Sequence, residues 1–195
     1  MKMKENSMKY SLIIISILIF SNIVFSQSDT TVSKHNSNFT VGFEIDALPY
    51  LTGGYYGSVW LGLKKQKLRL RPIIAKANLP SFLLQENFNR NTLRVYAFVA
   101  DYFFRPDFKG FWIAPGIEYW DGEIENKLSE AATCIEWIFT LGGGYVWKFW
   151  DNLYVNPWIA GHLRIGGDRE VQVGTDTFKT AVFTPEISLK IGWHF

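Results

Sequence analysis

Apolar and polar residues alternate along nearly the whole chain from Phe39 to the C-terminus. A period of two is the signature of β-strands, whose successive side chains leave opposite faces. At the C-terminal end, "PEISLKIGWHF" puts Ile187, Leu189, Ile191, Trp193 and Phe195 on one face and Glu186, Ser188, Lys190, Gly192 and His194 on the other. Six earlier segments read the same way. The first, from Phe39, sets Phe39, Val41, Phe43, Ile45 and Ala47 against Thr40, Gly42, Glu44 and Asp46. The second, from Tyr55 to about Lys64, sets Tyr55, Val59, Leu61 and Leu63 against Tyr56, Ser58, Trp60 and Lys64. In the third, "KLRLRPIIAKA", Leu68, Leu70, Pro72 and Ile74 oppose Arg69, Arg71, Ile73 and Ala75. In the fifth, "GFWIAPGIEYW", Phe111, Ile113, Ile117 and Tyr119 oppose Trp112, Ala114, Gly116, Glu118 and Trp120. The sixth, about Thr133 to Trp147, sets Ile135, Trp137, Phe139, Leu141, Tyr145 and Trp147 against Glu136, Thr140, Gly142 and Gly144. The seventh, "NLYVNPWIAGHLRI", sets Leu153, Val155, Ile159, Leu163 and Ile165 against Tyr154, Asn156, Trp158, His162 and Arg164. The fourth, "TLRVYAFVADYFF", is apolar on both faces, so its phase stays open: either Arg94 or Asp101 points to the polar side.

The connections alternate as well. "KKQK", "RPDFKG" and "KFWDN" are tight, whereas "NLPSFLLQENFNRN", "DGEIENKLSEAA" and "GGDREVQVGTDTFK" are long and polar; only "PYLTGG" is short where a long loop is due. Tight turns at one end, longer loops at the other and an even strand count are the pattern of membrane-spanning barrels. The chain is therefore predicted to be all-β, an eight-stranded antiparallel up-and-down transmembrane β-barrel over residues 38–195. Its apolar faces point outward, and Tyr55, Tyr119, Trp147 and Trp193, near strand ends, suit interfacial girdles. Pro72, Pro115, Pro157 and Pro185 lie on that apolar face, where a missing N–H calls for a bulge or local bend.

The inward set then collects Glu44, Asp46, Glu118, Glu136 and Glu186 with Arg69, Arg71, Arg164 and Lys190. Eight strands enclose a space that side chains fill. These charges are expected to pair across the lumen as a network, since buried charge persists when paired and hydrogen-bonded, and to leave no open pore.

The first residues add an export signal. Lys2, Lys4 and Lys9 precede an apolar run from Leu12 to about Phe20, and small or apolar residues lead on to Ser26. This predicts a signal peptide over 1–26 and a polar leader over 27–37. The three lysines and Glu5 account for the formal charge of +2, so the exported part is neutral and offers no electrostatic case for nucleic acid. Cys134 is the sole cysteine and has no disulfide partner; it reads as a small buried strand residue. His35, His162 and His194 are scattered, without metal-ligand spacing. Gly142–Gly144 reads as strand glycine permitting close packing rather than as a phosphate loop, and no cofactor is expected.

The signal segment, eight alternating strands and terminal phenylalanine together resemble the small outer-membrane β-barrels of Gram-negative bacteria. In that group the last strand resembles an address read by the barrel-assembly machinery, and Leu189, Ile191, Trp193 and Phe195 match it position by position. The resemblance implies outer-membrane lipid and lipopolysaccharide as surroundings, that machinery as a partner during biogenesis, and residence in the cell outer membrane after export. It names no partner for the loops. Three roles follow: a non-enzymatic barrel with a structural, adhesive or binding task in its extracellular loops, a lipid-modifying barrel enzyme, or a soluble exported barrel of lipocalin type. The enzyme reading rests on His162, Glu186 and Ser188. If Leu153 lies near Phe195 across the ladder, His162 falls opposite Glu186 with Ser188 one inward position away, the ingredients of nucleophilic catalysis. All three point inward, away from acyl chains, and the charged lumen argues against an apolar well of the palmitoyltransferase kind.

Overall fold

The computed structural model describes residues 38–195; the expected signal peptide and leader lie outside them. Eight strands form one closed antiparallel ring: β1 (Phe39–Asp46), β2 (Tyr55–Leu63), β3 (Leu68–Asn78), β4 (Phe88–Phe103), β5 (Gly110–Asn126), β6 (Ala131–Lys148), β7 (Leu153–Gly167) and β10 (Phe183–His194). Sequential strands are neighbours, and β10 closes the ring against β1. Burial alternates along each strand in step with the polar pattern: in β1, Thr40, Glu44 and Asp46 are buried while Phe39, Val41, Phe43 and Ile45 are exposed. The perimeter is apolar, while the interior combines the buried charges with a cluster of apolar and aromatic side chains that includes Trp60, Phe103 and Trp112.

The perimeter has defined limits. Outward Tyr96, Tyr119 and Trp137 form a ring-contact row on β4, β5 and β6, with centroids 6.4 Å and 5.2 Å apart. Toward the turn end a second aromatic row contains Tyr102, Phe104, Phe111, Tyr145, Trp147 and Trp150. Between Phe111 and Tyr119 the belt is about 20 Å tall, allowing for a strand tilt near 40°. Beyond the upper row the outer face turns charged: Arg94 pairs with Asp121 at 3.2 Å, and Arg90 with Glu123 and Glu125 at 2.9 and 2.6 Å. Arg94 is thus the outward residue of the fourth strand, and Asp101, fully buried, the inward one.

The structure departs from the pattern-based reading in four places. Ala47 does not continue β1; it opens a short helix, α1 (Ala47–Leu51), because the Asp46 carboxylate accepts a hydrogen bond from Leu48 N at 2.9 Å and caps the turn. β5 and β6 run on past the aromatic row, so "DGEIENKLSEAA" is mostly ladder, from Asp121 opposite Ile135 to Glu125 opposite Ala131. Its polarity reflects an outer face in water rather than a loop. The connection between β7 and β10 holds a second hairpin, β8 (Glu170–Val173) and β9 (Asp176–Lys179), turning at Gly174 with φ +60°. Its inner residues Val173 and Phe178 pack on Phe88, Ile124 and Cys134. Finally, the ladders run without a register shift through Pro72, Pro115, Pro157 and Pro185, paired with Phe98, Leu141, Leu189 and Gly161. The register shifts lie at Phe88/Arg90 and Trp137/Ile138 instead.

Candidate functional site

The interior divides into a sealed half near the tight turns and an open half near the loops. In the sealed half, β3 sends Arg69 and Arg71 inward at alternate positions between Glu44 on β1 and Asp101 on β4, which lies directly opposite Arg69. Arg69 donates from Nη1 to Glu44 Oε1 at 2.8 Å and from Nε to Asp101 Oδ2 at 2.6 Å. Arg71 donates from Nη1 to Glu44 Oε2 at 3.1 Å and from Nη2 to Asp101 Oδ1 at 2.9 Å. Each carboxylate therefore bridges both guanidiniums in a closed square, and all four residues are at most 1% exposed. Tyr154 Oη and Asn156 Nδ2 also donate to Glu44.

An aromatic sleeve surrounds this square. Arg69 lies over Trp60, Phe103 and Trp112 at 5.0–5.6 Å, and Arg71 over Trp112 and Trp158 at 5.4 Å. Such faces stabilise desolvated cations. Gly142 and Gly144 make room for the sleeve: an added Cβ would stand 2.7 Å from Trp158 and 2.8 Å from Trp112, whose rings stack at 5.4 Å. Phe108 in the β4–β5 turn adopts φ 52°, a costly conformation for phenylalanine, and tucks its ring against Phe103 and Trp60. The turn end is stoppered. Reconstituted protein should therefore carry no steady ion current in planar bilayers; discrete, stable openings would show that the square does not seal the lumen.

Above the square runs a second polar chain. Thr140 Oγ1 donates to Glu118 Oε1 at 2.7 Å and lies 2.8 Å from His162 Nδ1, while His162 Nε2 lies 2.8 Å from Glu186 Oε2. Because the threonine's one proton goes to Glu118, its oxygen accepts from the ring, and hydrogen-bond accounting makes His162 a donor at both nitrogens between two carboxylates. Trp120 and Trp158 donate their indole N–H groups to Glu118 and Glu186 at 2.7 and 2.9 Å.

The arrangement of His162, Glu186 and Ser188 differs from the one counted along the strands. Trp193, not Phe195, is opposite Leu153, which shifts the ladder so that His162 faces Thr184 and Ser188 faces Trp158. His162 still reaches Glu186, but Ser188 hydrogen-bonds Asp46. The hydroxyl that meets His162 is that of Thr140, fully buried and already donating to a carboxylate. No activated nucleophile results. Of the remaining inward charges, Glu136 and Arg164 approach to 3.8 Å near the rim, and Lys190 sits over Trp158 at 3.8 Å and Tyr56 at 5.2 Å. Among the described residues no carboxylate lies within 4.0 Å of Lys190 Nζ, and no group of three metal-ligating side chains occurs.

The open half is a cavity of about 500 Å³ reaching from Asp46, Tyr56 and Lys190 to the loops. One wall, on β3 and β4, is apolar from Ile73 to Leu79 and from Leu93 to Ala97, with the buried Asn91 beyond Leu93 toward the loops. The other carries Trp120, Trp158, His162 and Glu186. The lumen is thus not charged throughout, as its list of ionisable residues implied: the charges gather toward the sealed half and one wall.

At the ladder's end, Phe195 N donates to Val41 O at 2.9 Å, and Thr40 Oγ1 to Phe195 O at 2.6 Å. The ring of Phe195, with Leu189 and Ile191, stays on the exposed perimeter, and Trp193 is half-buried beside them.

No protein-family description matches this chain, and no curated protein sequence does either. Solved structures do match. Neisserial surface protein A superposes with a TM-score of 0.51 at 13% identity, covering 82% of this chain and 98% of its own. The N-terminal β-barrel domain of Pseudomonas aeruginosa OprF gives 0.51 at 12%, with 81% and 98% covered. The chain has the fold of the small eight-stranded outer-membrane barrels.

Proposed function

We propose that this chain is an integral outer-membrane protein, exported by its N-terminal signal and working by binding through its loop end rather than by catalysis. The observation that carries the reading is the inverted distribution of polarity: an apolar belt between two aromatic rows outside, and a hydrogen-bonded charge square within. A soluble carrier barrel would bury the belt and expose the charges. In hydrocarbon every backbone group must be satisfied internally, which the closed ring achieves. The hydrogen bonds of Ser188 to Asp46 and of Thr140 to Glu118 commit both hydroxyls to carboxylates other than Glu186, which supports binding over catalysis. Leu189, Ile191, Trp193 and Phe195 serve in this reading as the signal handed to the barrel-assembly machinery, with lipopolysaccharide and lipid around the belt.

The protein should remain with the outer membrane after carbonate or urea washing and migrate differently on gels before and after heating, since a ring without free edges resists unravelling. Recovery in the soluble periplasmic fraction would overturn the proposal. Lipid A extracted from cells with and without the protein should be identical in mass; a new acyl species would restore the enzyme.

A further inference from the structure

We infer that the loop-end cavity is a binding site for a single-chain amphiphile, an alkyl chain whose carboxyl-level oxygen seats against the Lys190 ammonium. The inference rests on the binding role proposed above and names its ligand class.

The shape of the apolar wall selects a chain. Ile73, Ala75, Ala77 and Leu79 follow one another at alternate inward positions of β3 and its end, and Leu93, Val95 and Ala97 line β4 beside them. Ile73 to Leu79 spans roughly 20 Å at the strand rise. From Ile73 to Leu79 and from Leu93 to Ala97 the strip offers no side-chain hydrogen-bonding group, and the first one met toward the mouth is the carboxamide of Asn91, so a ligand lying along it is apolar over most of its length. Leu83, Leu84 and Phe178 extend the same character to the mouth. A volume of about 500 Å³ falls in the lower part of the usual range for ligand sites, roughly 300–1,000 Å³, which suits one chain rather than two.

The inner end selects the head. Lys190 is 1% exposed and lines the cavity, yet its ammonium has two ring faces as neighbours and, among the described residues, no oxygen within hydrogen-bonding distance. Ring faces stabilise the charge but are poor substitutes for acceptors of its three N–H donors. Glu186, Glu44 and Asp46 act on this charge from a distance, while their own hydrogen bonds go to other donors: Glu186 accepts from Trp158 and meets His162, and Asp46 accepts from Ser188 and Leu48 N. Burial of an ammonium without an acceptor is costly, and a ligand oxygen arriving at the base of the strip supplies one. Two sources share this chemistry, a free fatty acid and the ester of a monoacyl lipid.

The test uses folded protein in phosphatidylcholine nanodiscs, titrated calorimetrically with dodecanoate and, separately, with its glycerol monoester, against empty nanodiscs. Wild type should bind one molecule per barrel above the partitioning seen in empty discs. Lys190→Met should weaken binding at least tenfold, Ala97→Phe, which fills the strip, should do the same, and Lys179→Met at the mouth should change it less than threefold. Heat-modifiable migration verifies that each variant is folded; if Lys190→Met is not, Ala97→Phe decides alone. Binding of the acid only assigns the fatty acid as the source, and binding of both assigns the shared carboxyl oxygen. Uptake by heat-modifiable wild type no greater than by empty discs, or equal uptake by wild type and Ala97→Phe, overturns the inference while leaving the membrane barrel standing. Recovery of the protein as a soluble species would instead remove the reading beneath it.

Discussion

Replacing Arg71 with alanine should lower the stability of the folded barrel by about 3–5 kcal/mol, the cost of leaving a buried charge without its partner. The square explains why this site is so sensitive. Arg71 is fully buried and supplies one of the two bridges to each of Glu44 and Asp101, and after its removal two carboxylates share the single guanidinium of Arg69. Both carboxylates are fully buried, so water does not compensate them. Urea titration of the reconstituted protein, followed by tryptophan fluorescence and heat-modifiable migration, reads the change as a lowered midpoint. Glu44→Gln should also be damaging, because it removes the charge bridging both arginines. Arg94→Ala is the control: its pair with Asp121 is half-exposed on the outer surface, and exposed pairs contribute roughly 0–1 kcal/mol. Equal losses from Arg71→Ala and Arg94→Ala would refute the view that the interior square, rather than the general ladder, holds the ring.

The second large effect is expected at the C-terminus. Deleting Phe195 should sharply reduce folded protein in the outer membrane while leaving export and signal cleavage intact. Two consequences combine here. The deletion removes the aromatic ring proposed as the assembly signal, and it removes the backbone contacts with Val41 and Thr40 at the closing strand pair. Phe195→Tyr and Phe195→Trp separate them, since both keep a ring and the main chain, while Phe195→Ala keeps only the main chain. Assembly retained in Tyr and Trp but lost in Ala assigns the effect to the ring; retention in all three assigns it to the clasp. Replacement of His194, whose side chain faces inward toward Trp60 and Tyr154, should do less harm. Assembly insensitive to every change at Phe195 but abolished at His194 would reverse the faces of the strand.

Alternation made the fold legible, because a one-residue error moves every side chain to the other face and a barrel with two solvents tolerates none. It assigns sides, but it carries no information about partners. Asp101 illustrates the difference: on an all-apolar strand its phase could not be read, and only the ladder placing it opposite Arg69 settles the matter. Tyr154, Asn156 and Thr140 stood on the polar side of their strands, yet nothing local marked them as the groups that complete the hydrogen bonding of Glu44 and Glu118. The register error at His162 arose from anchoring the last strand on Phe195 rather than Trp193. The hidden length of β5 and β6 had another cause. Above the aromatic row the outer face of a strand meets water, so its residues are as polar as a loop's.

The ring is not equally strong around its circumference. β1 meets β10 only from Gly42 to Asp46, whereas β5 and β6 run together from Gly110 to Glu125. The first residue of β1, Phe39, and Phe195 just beyond β10 lie at the same end of this short joint, on antiparallel neighbours. Force applied between them pulls across the strands, so it meets the hydrogen bonds one after another instead of all together. The molecule behaves as a hoop thinnest around β1, whose ladder to β2, from Phe39 to Glu44, is scarcely longer: it parts by unzipping at low force along β1 and β10, and β5 and β6 stay joined long after the circle is open.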